Sequence, residues 1–379
     1  MLSSFDDFPV HQVAEPVRQV GTSDRNFYDR YYFNCHACSD EIFLVLGMGV
    51  YPNLGTQDVF ASCARGGTHH VVRASRALGD RADLSVGPFR LEVLEPLQRL
   101  RFVLEPTEHT LAFDLTWEGV HVPYEEPRHV IRQYGRTVFD TVRFAQNGSW
   151  SGTLVVGDET FAVTPERWWG ARDRSWGIRP VGEPEPQGIR RDLPQLVGMW
   201  NYAPMRFDGF SVLYLLQEEP DGSRTIDDAV RIWHDPSRAP EPLGRPEYRH
   251  VLDPGTRMIT RPSTFMFPHA PGGPIEIVCT PLTHDYMAVG TGYGLGDDFR
   301  HGMYRGDLVV EARTWPDAEL DTWAWFAIVE HCARFELHGP EGATHTGYGM
   351  HEHLFVGPFP QLGLDSALAV APAPQDPTV

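Results

Sequence analysis

A short segment near the middle of the chain combines the residue types that acid catalysis requires. Residues 168–177 read Trp-Trp-Gly-Ala-Arg-Asp-Arg-Ser-Trp-Gly, so one carboxylate lies between two guanidinium groups and is bracketed by indole rings. Alternate side chains of a strand face opposite sides, so in a strand Asp173 and Ser175 would share one face. Arg172 and Arg174 would share the other face.

Two interpretations of Asp173 remain open at this stage. In the structural one, arginines and aspartate form an ion-paired lattice that closes the end of a barrel, with the tryptophans as its plug. In the functional one, Asp173 lies in an aromatic cavity, where burial raises its pKa and a neighbouring arginine lowers it. Such an acid can protonate a substrate double bond, and tryptophan faces can stabilise the resulting carbocation.

Histidines supply the other candidate groups. In His351-Glu352-His353 the two histidines share one strand face, and with the pair Glu330-His331 they could form a metal site. Without a metal, which is the interpretation we adopt, Glu352 or His353 can act as a second acid or base beside Asp173. In His69-His70 one histidine at most faces inward, and we interpret both as solvated or core residues rather than ligands.

Composition excludes several classes of function. The formal net charge of −19 over 379 residues disfavours nucleic acid as a partner. The chain contains no lysine, and all 32 Lys+Arg positions are arginine, which excludes Schiff-base catalysis through lysine and a P-loop lysine. Five cysteines form no disulfide framework, and the one Cys-x-x-Cys, at residues 35–38, lacks the second pair that zinc needs. The start does not read as a signal peptide, and no window is long and apolar enough to span a membrane, so we expect a cytoplasmic protein.

The elements that would position these residues are strands. Short alternating runs recur about every ten residues between glycine and proline breaks, which predicts an all-β barrel or sandwich. Asn147-Gly148 is a strong hairpin signal and predicts a turn between strands 138–146 and 150–156.

The proline-rich stretch 182–188 is the best domain boundary. We expect a loose arm over residues 1–25, a first β-domain over 26–181, a linker over 182–188, a second β-domain over 189–360 and a tail over 361–379. Residues 370–379 are rich in alanine and proline, which predicts disorder.

Residues 144–163 together with 170–177 resemble the carotenoid 1,2-hydratase (hydroxyneurosporene synthase) and AttH-like superfamily, and more closely a bacterial branch of it. Asp173 matches the aspartate of the family segment and Trp176 matches its second tryptophan. Arg174-Ser175 stands where the family has His-Glu, a departure that puts a hydratase proton relay in doubt. The resemblance extends from about residue 26 to 358. It implies two lipocalin-like antiparallel β-barrels packed together, few short helices and an apolar ligand cavity.

Two functions follow from the residues and the resemblance together. The first is a cofactor-independent enzyme that hydrates or dehydrates, cyclises or isomerises a terpenoid-, isoprenoid- or steroid-like molecule, with no metal and with Asp173 as general acid. The second is a non-catalytic carrier of a hydrophobic ligand. Arg172 is expected to position the acid. The expected substrate-binding residues are Trp169, Arg172, Trp176, Tyr202, His301 and Tyr304. The oligomeric state is left open.

Overall fold

The computed structural model describes residues 2–133, 135–181, 197–294, 298–321 and 328–372. The strands of the first half are β1 Phe27–His36, β2 Phe43–Tyr51, β3 Thr56–Arg65, β4 Thr68–Ala77, β5 Ser85–Val86, β6 Phe89–Glu95, β7 Arg99–Leu104, β8 Leu111–Gly119, β9 Tyr124–Glu125, β10 His129–Gln133, β11 Arg136–Val156, β12 Glu159–Val163 and β13 Trp169–Ile178. Those of the second half are β14 Gly198–Arg206, β15 Phe210–Glu218, β16 Arg224–Trp233, β17 Glu241–Pro242, β18 Glu247–Arg249, β19 Ser263–Phe267, β20 Ile275–Tyr286, β21 Leu308–Pro316, β22 Ile328–His338 and β23 Thr344–Val356.

Helices are few and short. The described ones are α1 Asp317–Leu320 and 3-10 turns at Ser4–Asp7, Pro340–Gly342 and Pro360–Leu362. Within the described ranges no helix has the length and apolar character needed to cross a bilayer.

The strands form two antiparallel sheets that pack together. The larger has the order β21-β4-β3-β2-β1-β13-β11-β8-β7-β6-β5, with β9, β10 and β12 paired to β11, and it closes almost completely into a barrel. The smaller has the order β17-β16-β15-β14-β23-β22-β20-β19-β18 and forms a half-barrel. The predicted all-β class with two packed barrels is confirmed. One strand of the second half, β21, pairs with β4 and so belongs to the first barrel.

Alternation along the strands sorts the side chains into three buried layers. Trp117 and Trp150 pack edge to face inside the first barrel, and Tyr214 and Phe265 pack inside the half-barrel. The third layer, which includes Tyr32, lies where the outer faces of the two sheets meet. Strands β2 and β15 are therefore buried at every position, because both of their faces are covered.

The predicted turn at Asn147-Gly148 is wrong. Strand β11 is 21 residues long and continues without a turn through Asn147-Gly148. It pairs with β13 on one side and with β8 on the other. Gly148 permits close packing, since a Cβ at this position would lie 2.4 Å from a ring carbon of Trp117. The hairpin turn is formed at Gly157, whose φ of 58° suits a turn glycine, between β11 and β12.

Described residues of the predicted arm and tail make long-range contacts with the two sheets that the sequence does not predict. The Ser3 hydroxyl donates to Asp80 Oδ1 at 2.6 Å and ties the N-terminal arm to the first barrel. Arg257 donates three hydrogen bonds to carbonyl groups of the C-terminal segment, and Ala371 is buried against the half-barrel. These long-range hydrogen bonds leave no local signal in the sequence. The predicted linker at 182–188 and the tail beyond residue 372 lie outside the described residues.

We expect Gly148→Ala to lower the free energy of unfolding by about 1–3 kcal/mol, because the added methyl group overpacks the wall beside Trp117. Gly79→Ala is the matched control, since its Cβ would lie 3.5 Å from Arg76 Nη1 and has room. Denaturant unfolding of the two variants measures the difference. Equal losses in both would contradict this account of Gly148.

Candidate active site

A cavity of about 190 Å³ lies between the two sheets. Strands β1, β11 and β13 of the first barrel wall one side, and strands β14, β15, β16, β22 and β23 of the half-barrel wall the other. Four carboxylic acids line it together with aromatic, apolar and arginine side chains. These acids are Glu126, Asp173, Glu330 and Glu352.

Asp173 lies in the middle of β13, directly opposite Tyr32 of β1. Ser175, two residues along the strand, lines the same cavity, as strand alternation predicts. Burial raises the pKa of Asp173, although the positive charges of nearby arginines, Arg143 foremost, act in the opposite direction. Asp173 therefore keeps its proton to a higher pH than an exposed aspartate does.

A row of polar side chains crosses the half-barrel on the cavity face. Glu330 of β22 is directly opposite Glu352 of β23, which in turn is directly opposite Tyr202 of β14. Burial, reinforced by the negative charge of Glu352, raises the pKa of Glu330 well above its usual range. Burial likewise raises the pKa of Glu352 to about 7. Like charges at such short range oppose the ionisation of both groups at once.

Glu126, from the loop between β9 and β10, is held by an arginine. Arg143 Nε donates to Glu126 Oε2 at 2.5 Å, and the same guanidinium lies over the rings of Trp200 and Tyr202, 5.1 and 4.9 Å from their centroids. Burial outweighs this cation and raises the pKa of Glu126 to about 7. Arg143 therefore stands between the acids of the first barrel and the aromatic wall of the half-barrel.

A phenol joins the two sheets within the cavity. The Tyr32 hydroxyl donates to Glu330 Oε2, and Asn34 Nδ2 donates to the Tyr32 oxygen at 3.3 Å. Burial and the charge of Glu330 raise the pKa of Tyr32, so it remains a neutral donor. The Tyr202 hydroxyl has no hydrogen-bond partner among the described residues. It is therefore a candidate donor to a bound molecule.

Arg30 is the most deeply buried cation of the cavity wall. Its Nη1 donates to the Tyr51 hydroxyl at 2.7 Å and to Asp58 Oδ1 at 3.1 Å. Its guanidinium packs against two glycines of β2. A Cβ atom at Gly47 would lie 2.7 Å from Arg30 Nη2, and one at Gly49 would lie 2.9 Å from Arg30 Nη1. These two glycines thus make the space that lets Arg30 remain between the sheets.

His301 stands behind the cavity wall. Its Nδ1 accepts from Arg179 Nη2 at 3.0 Å, and its Nε2 donates to the carbonyl of Thr291 at 3.1 Å. Burial lowers its pKa well below the usual value, so the ring is neutral. The ring of Tyr293 packs against it with centroids 4.4 Å apart. His301, expected to bind substrate, instead supports Arg179 and Tyr293, which line the cavity.

Strand alternation separates Glu352 from its two histidine neighbours. Glu352 faces the cavity, whereas His351 and His353 face the interior of the half-barrel. There Asn201 Nδ2 lies 2.8 Å from His351 Nε2, and the Ile259 amide donates to His353 Nε2 at 3.3 Å. Of the two predicted partners of Asp173, the structure thus brings Glu352 into the same cavity and leaves His353 on the opposite face.

The histidines of the alternative metal site also face the interior of the half-barrel. The rings of His331 and His353 stack with centroids 5.3 Å apart, and that of His351 packs 5.8 Å from His353. Burial lowers the pKa of all three rings. In the described part of the chain, no three or more histidine, cysteine, aspartate or glutamate side chains converge on a metal position.

Arg172 does not position Asp173, contrary to the expectation from the sequence. It points into the first barrel, where its Nε donates to Gln146 Oε1 at 2.9 Å. Adjacent residues of a strand face opposite sides, so the guanidinium beside Asp173 in sequence is not the one beside it in space. The guanidinium that acts most strongly on Asp173 belongs to Arg143, on the neighbouring strand β11.

The predicted aromatic residues divide between the cavity and its surroundings. Tyr202 lines the cavity. Trp169 packs between the sheets, and the guanidinium carbon of Arg206 lies 4.1 Å from its ring centroid. Trp176 and Tyr304 lie at the surface with exposed fractions of 37% and 60%.

Sequence reasoning missed four charged side chains that line the cavity. Each stands alone in the sequence, without a motif around it. The available signal was weak: Arg143, for example, stands between the apolar residues Val142 and Phe144. The missed residues are Arg30, Glu126, Arg143 and Arg179.

A model of a family of unknown function, DUF8625, matches residues 2–365. No curated protein sequence matches the chain. Kievitone hydratase from Nectria haematococca has a similar structure, with a TM-score of 0.51 and 13% identity over 94% of this chain and 96% of that one. An AttH-like protein from Nitrosomonas europaea gives a TM-score of 0.52 and 12% identity over 91% and 97%. The AttH-like fold expected from the sequence resemblance is confirmed across nearly the whole chain.

Glu352→Gln should make the stability of the protein less dependent on pH. The pKa of Glu352 rises from 4.5 to about 7 on folding, so its contribution is fully present below 4.5 and is lost as the pH rises through 7. Between about pH 5 and pH 8 we expect the wild type to lose about 1–3 kcal/mol more than the variant. Thermal unfolding at both pH values measures this. Glu166→Gln, at an exposed position, is the control, and a loss in Glu352→Gln as large as in the wild type would refute the assignment.

Proposed function

We propose that this chain, which belongs to the family of unknown function DUF8625, is an enzyme that protonates a carbon–carbon double bond of a lipophilic small molecule in the cavity between its sheets. The observation that carries the proposal is the cluster of four buried carboxylic acids, two of which have a pKa of about 7. General acids work best when their pKa is near the working pH. Burial and mutual repulsion provide that match here.

The proposed reaction begins at Asp173. Its carboxyl group gives a proton to one alkene carbon, and the positive charge forms on the other. Addition of water and loss of a proton then give an alcohol, and loss of a proton from a neighbouring carbon gives an isomer. Attack by a second double bond, followed by loss of a proton, gives a ring. Glu352, which lines the same cavity, is the proposed acceptor of the released proton. Each outcome is redox-neutral, so the carboxyl groups suffice without a redox cofactor.

The side chains that line the cavity favour the binding of a lipophilic substrate. Leu215, Ile226, Met287, Ile328 and Leu354 supply apolar surface, and the face of Trp200 can stabilise positive charge on carbon. Ligand sites typically combine apolar walls with a few convergent polar groups. The name of one structural relative, kievitone hydratase, agrees with this reaction class. A terpenoid-, isoprenoid- or steroid-like alkene is therefore the substrate class that we propose.

Asp173→Asn should lower turnover by about 10²–10⁴-fold, because an amide cannot supply the proton. The substrate is sought by organic extraction of the purified protein and mass spectrometry of the apolar compounds that are released. Each compound is then incubated with enzyme in ¹⁸O-labelled water and in D₂O. The wild type should introduce ¹⁸O or deuterium.

Asp114→Asn, at an exposed carboxylate paired with Arg101 outside the cavity, is the matched control and should retain the wild-type rate. Full activity in Asp173→Asn would show that another group provides the proton.

The alternative is a protein that binds a hydrophobic ligand without changing it, and the same apolar wall favours this reading. In that case Asp173 would serve the architecture, and its loss would be felt as a loss of stability. The two functions therefore differ in what Asp173 does for folding.

Under the enzyme proposal, Asp173→Asn should change the free energy of unfolding by less than about 1 kcal/mol or increase it, because it removes a buried charge that is unfavourable when ionised. Glu126→Gln is the comparison. It leaves Arg143 without its carboxylate and should cost about 3–5 kcal/mol. Denaturant unfolding at neutral pH measures both. A loss in Asp173→Asn as large as in Glu126→Gln would favour an architectural role and the carrier.

A further inference from the structure

The row of acids on the half-barrel extends beyond the cavity. Asp285 of β20 is directly opposite Glu330 of β22, which is directly opposite Glu352 of β23. Directly opposite residues share a face of the sheet, with Cβ atoms about 4.5–5.5 Å apart. Three carboxyl groups therefore stand side by side on three adjacent strands, and only the first of them lies outside the cavity lining.

Asp285 is completely buried, and the proposed reaction does not use it. The Ser62 hydroxyl of β3 donates to its Oδ2 at 2.6 Å, across the contact between the sheets. Its Oδ1 has no hydrogen-bond partner among the described residues. Burial raises its pKa. A carboxyl group left in this state is suited to hold a proton and pass it on, and it is costly as a purely structural element.

His69 connects Asp285 to the surface. Its Nε2 lies 3.9 Å from Asp285 Oδ2, and its Nδ1 lies 2.9 Å from Asp317 Oδ1. The first distance exceeds a hydrogen bond by about 1 Å, so proton transfer between these two groups requires the ring to move toward Asp285. The Tyr286 amide donates to Nε2 at 3.3 Å, which assigns the proton of the neutral ring to Nδ1. The side chain of Asp317 is 37% exposed and meets solvent.

The placement of β21 at the edge of the first barrel brings Asp317 close to His69. By pairing with β4 it brings Trp315 opposite His69, and Asp317 follows two residues later. The rings of His284 and Tyr286 pack against His69 with centroids 6.2 and 5.7 Å away, and the imidazole is buried. The pKa of His69 is raised because hydrogen bonding to Asp317 and the charges of both aspartates together outweigh burial.

We propose that Asp285, His69 and Asp317 form a proton relay that connects the buried acids of the cavity with solvent. The proposal rests on the proposed function, in which those acids must regain their protonation state while a lipophilic substrate excludes water from the cavity. His69 acts through the carboxyl groups and does not touch the substrate.

Each transfer in the relay conserves charge and protons. A proton leaving the cavity passes from Glu330 to Asp285 and then, when the ring is neutral, from Asp285 to His69 Nε2. His69 releases its Nδ1 proton to Asp317, which gives one to water. The ring ends as the other neutral tautomer. Inward transfer of a solvent proton to Nδ1, with loss of the Nε2 proton to the Asp285 carboxylate, restores the first tautomer.

The test follows the buried protons themselves and needs no substrate. Infrared spectroscopy of the full chain at about pH 6, below the pKa of about 7 of Glu352, should show the C=O stretching band of protonated carboxyl groups. Asp285→Asn should remove part of this band. After transfer into D₂O, the Asp285 component should shift quickly in the wild type. In His69→Gln and Asp317→Asn it should shift about tenfold more slowly or worse, because exchange then waits for local opening.

His70→Gln is the matched control, because His70 lies on the opposite face of β4 and contacts Thr110 Oγ1 at 3.1 Å. It should exchange at the wild-type rate. Imidazole added to His69→Ala should restore fast exchange, which a purely structural role would not allow. Asp317→Asn alters a partly exposed side chain, so it decides the matter even if a change at His69 prevents folding.

A wild-type exchange rate in Asp317→Asn, or in a folded His69→Gln, would overturn the relay and leave the proposed function standing. Equal slowing in His70→Gln would also overturn it. Absence of the protonated band from the wild type would overturn both the relay and the proposed store of protons.

Discussion

The site depends on the desolvation of acids between two sheets. Burying a carboxylate away from water is unfavourable unless a cation or hydrogen-bond donor pairs with it. At least four carboxyl groups line this cavity, and fewer arginines donate hydrogen bonds to them. Protonation is the simplest relief, and the pKa of about 7 at Glu126 and at Glu352 expresses it. The packing that forms the cavity also gives it its chemistry, because apolar neighbours such as Leu215 and Ile226 keep the dielectric low.

That packing is possible because both sheets have two buried faces. A strand covered on both faces must give one face to a barrel interior and the other to the contact between the sheets. In β23 the result is that Glu352 serves the cavity while His351 and His353 serve the half-barrel. In β13 it is that Asp173 faces the cavity while Arg172 faces the first barrel. Because consecutive side chains of a strand face opposite sides, each cavity acid is separated from the basic residues next to it in sequence.

The same geometry explains the departure from the family segment. Arg174 pairs with Asp29 and lies over the ring of Tyr31, 4.0 Å from its centroid, so it faces away from the cavity. Ser175 lines the cavity but carries no titratable group. The protonating groups near Asp173 are instead spread over other strands, as Glu330 and Glu352, and over the loop that carries Glu126. A change of two residues in the segment is therefore compatible with an acid site on this fold.

The sequence by itself determined the all-β class and the sharing of one strand face by Asp173 and Ser175, because strand alternation and composition are local properties. It misjudged Asn147-Gly148, where a local turn signal yields to the close approach of Trp117 across the sheet. Tertiary structure alone decided which charges surround Asp173. Arg143 is 30 residues away in sequence and adjacent in space through the pairing of β11 with β13, whereas Arg172 is adjacent in sequence and points the other way. The reason is physical: a pKa depends on burial and on charges a few ångströms away, and both are set by contacts between strands that no local pattern records.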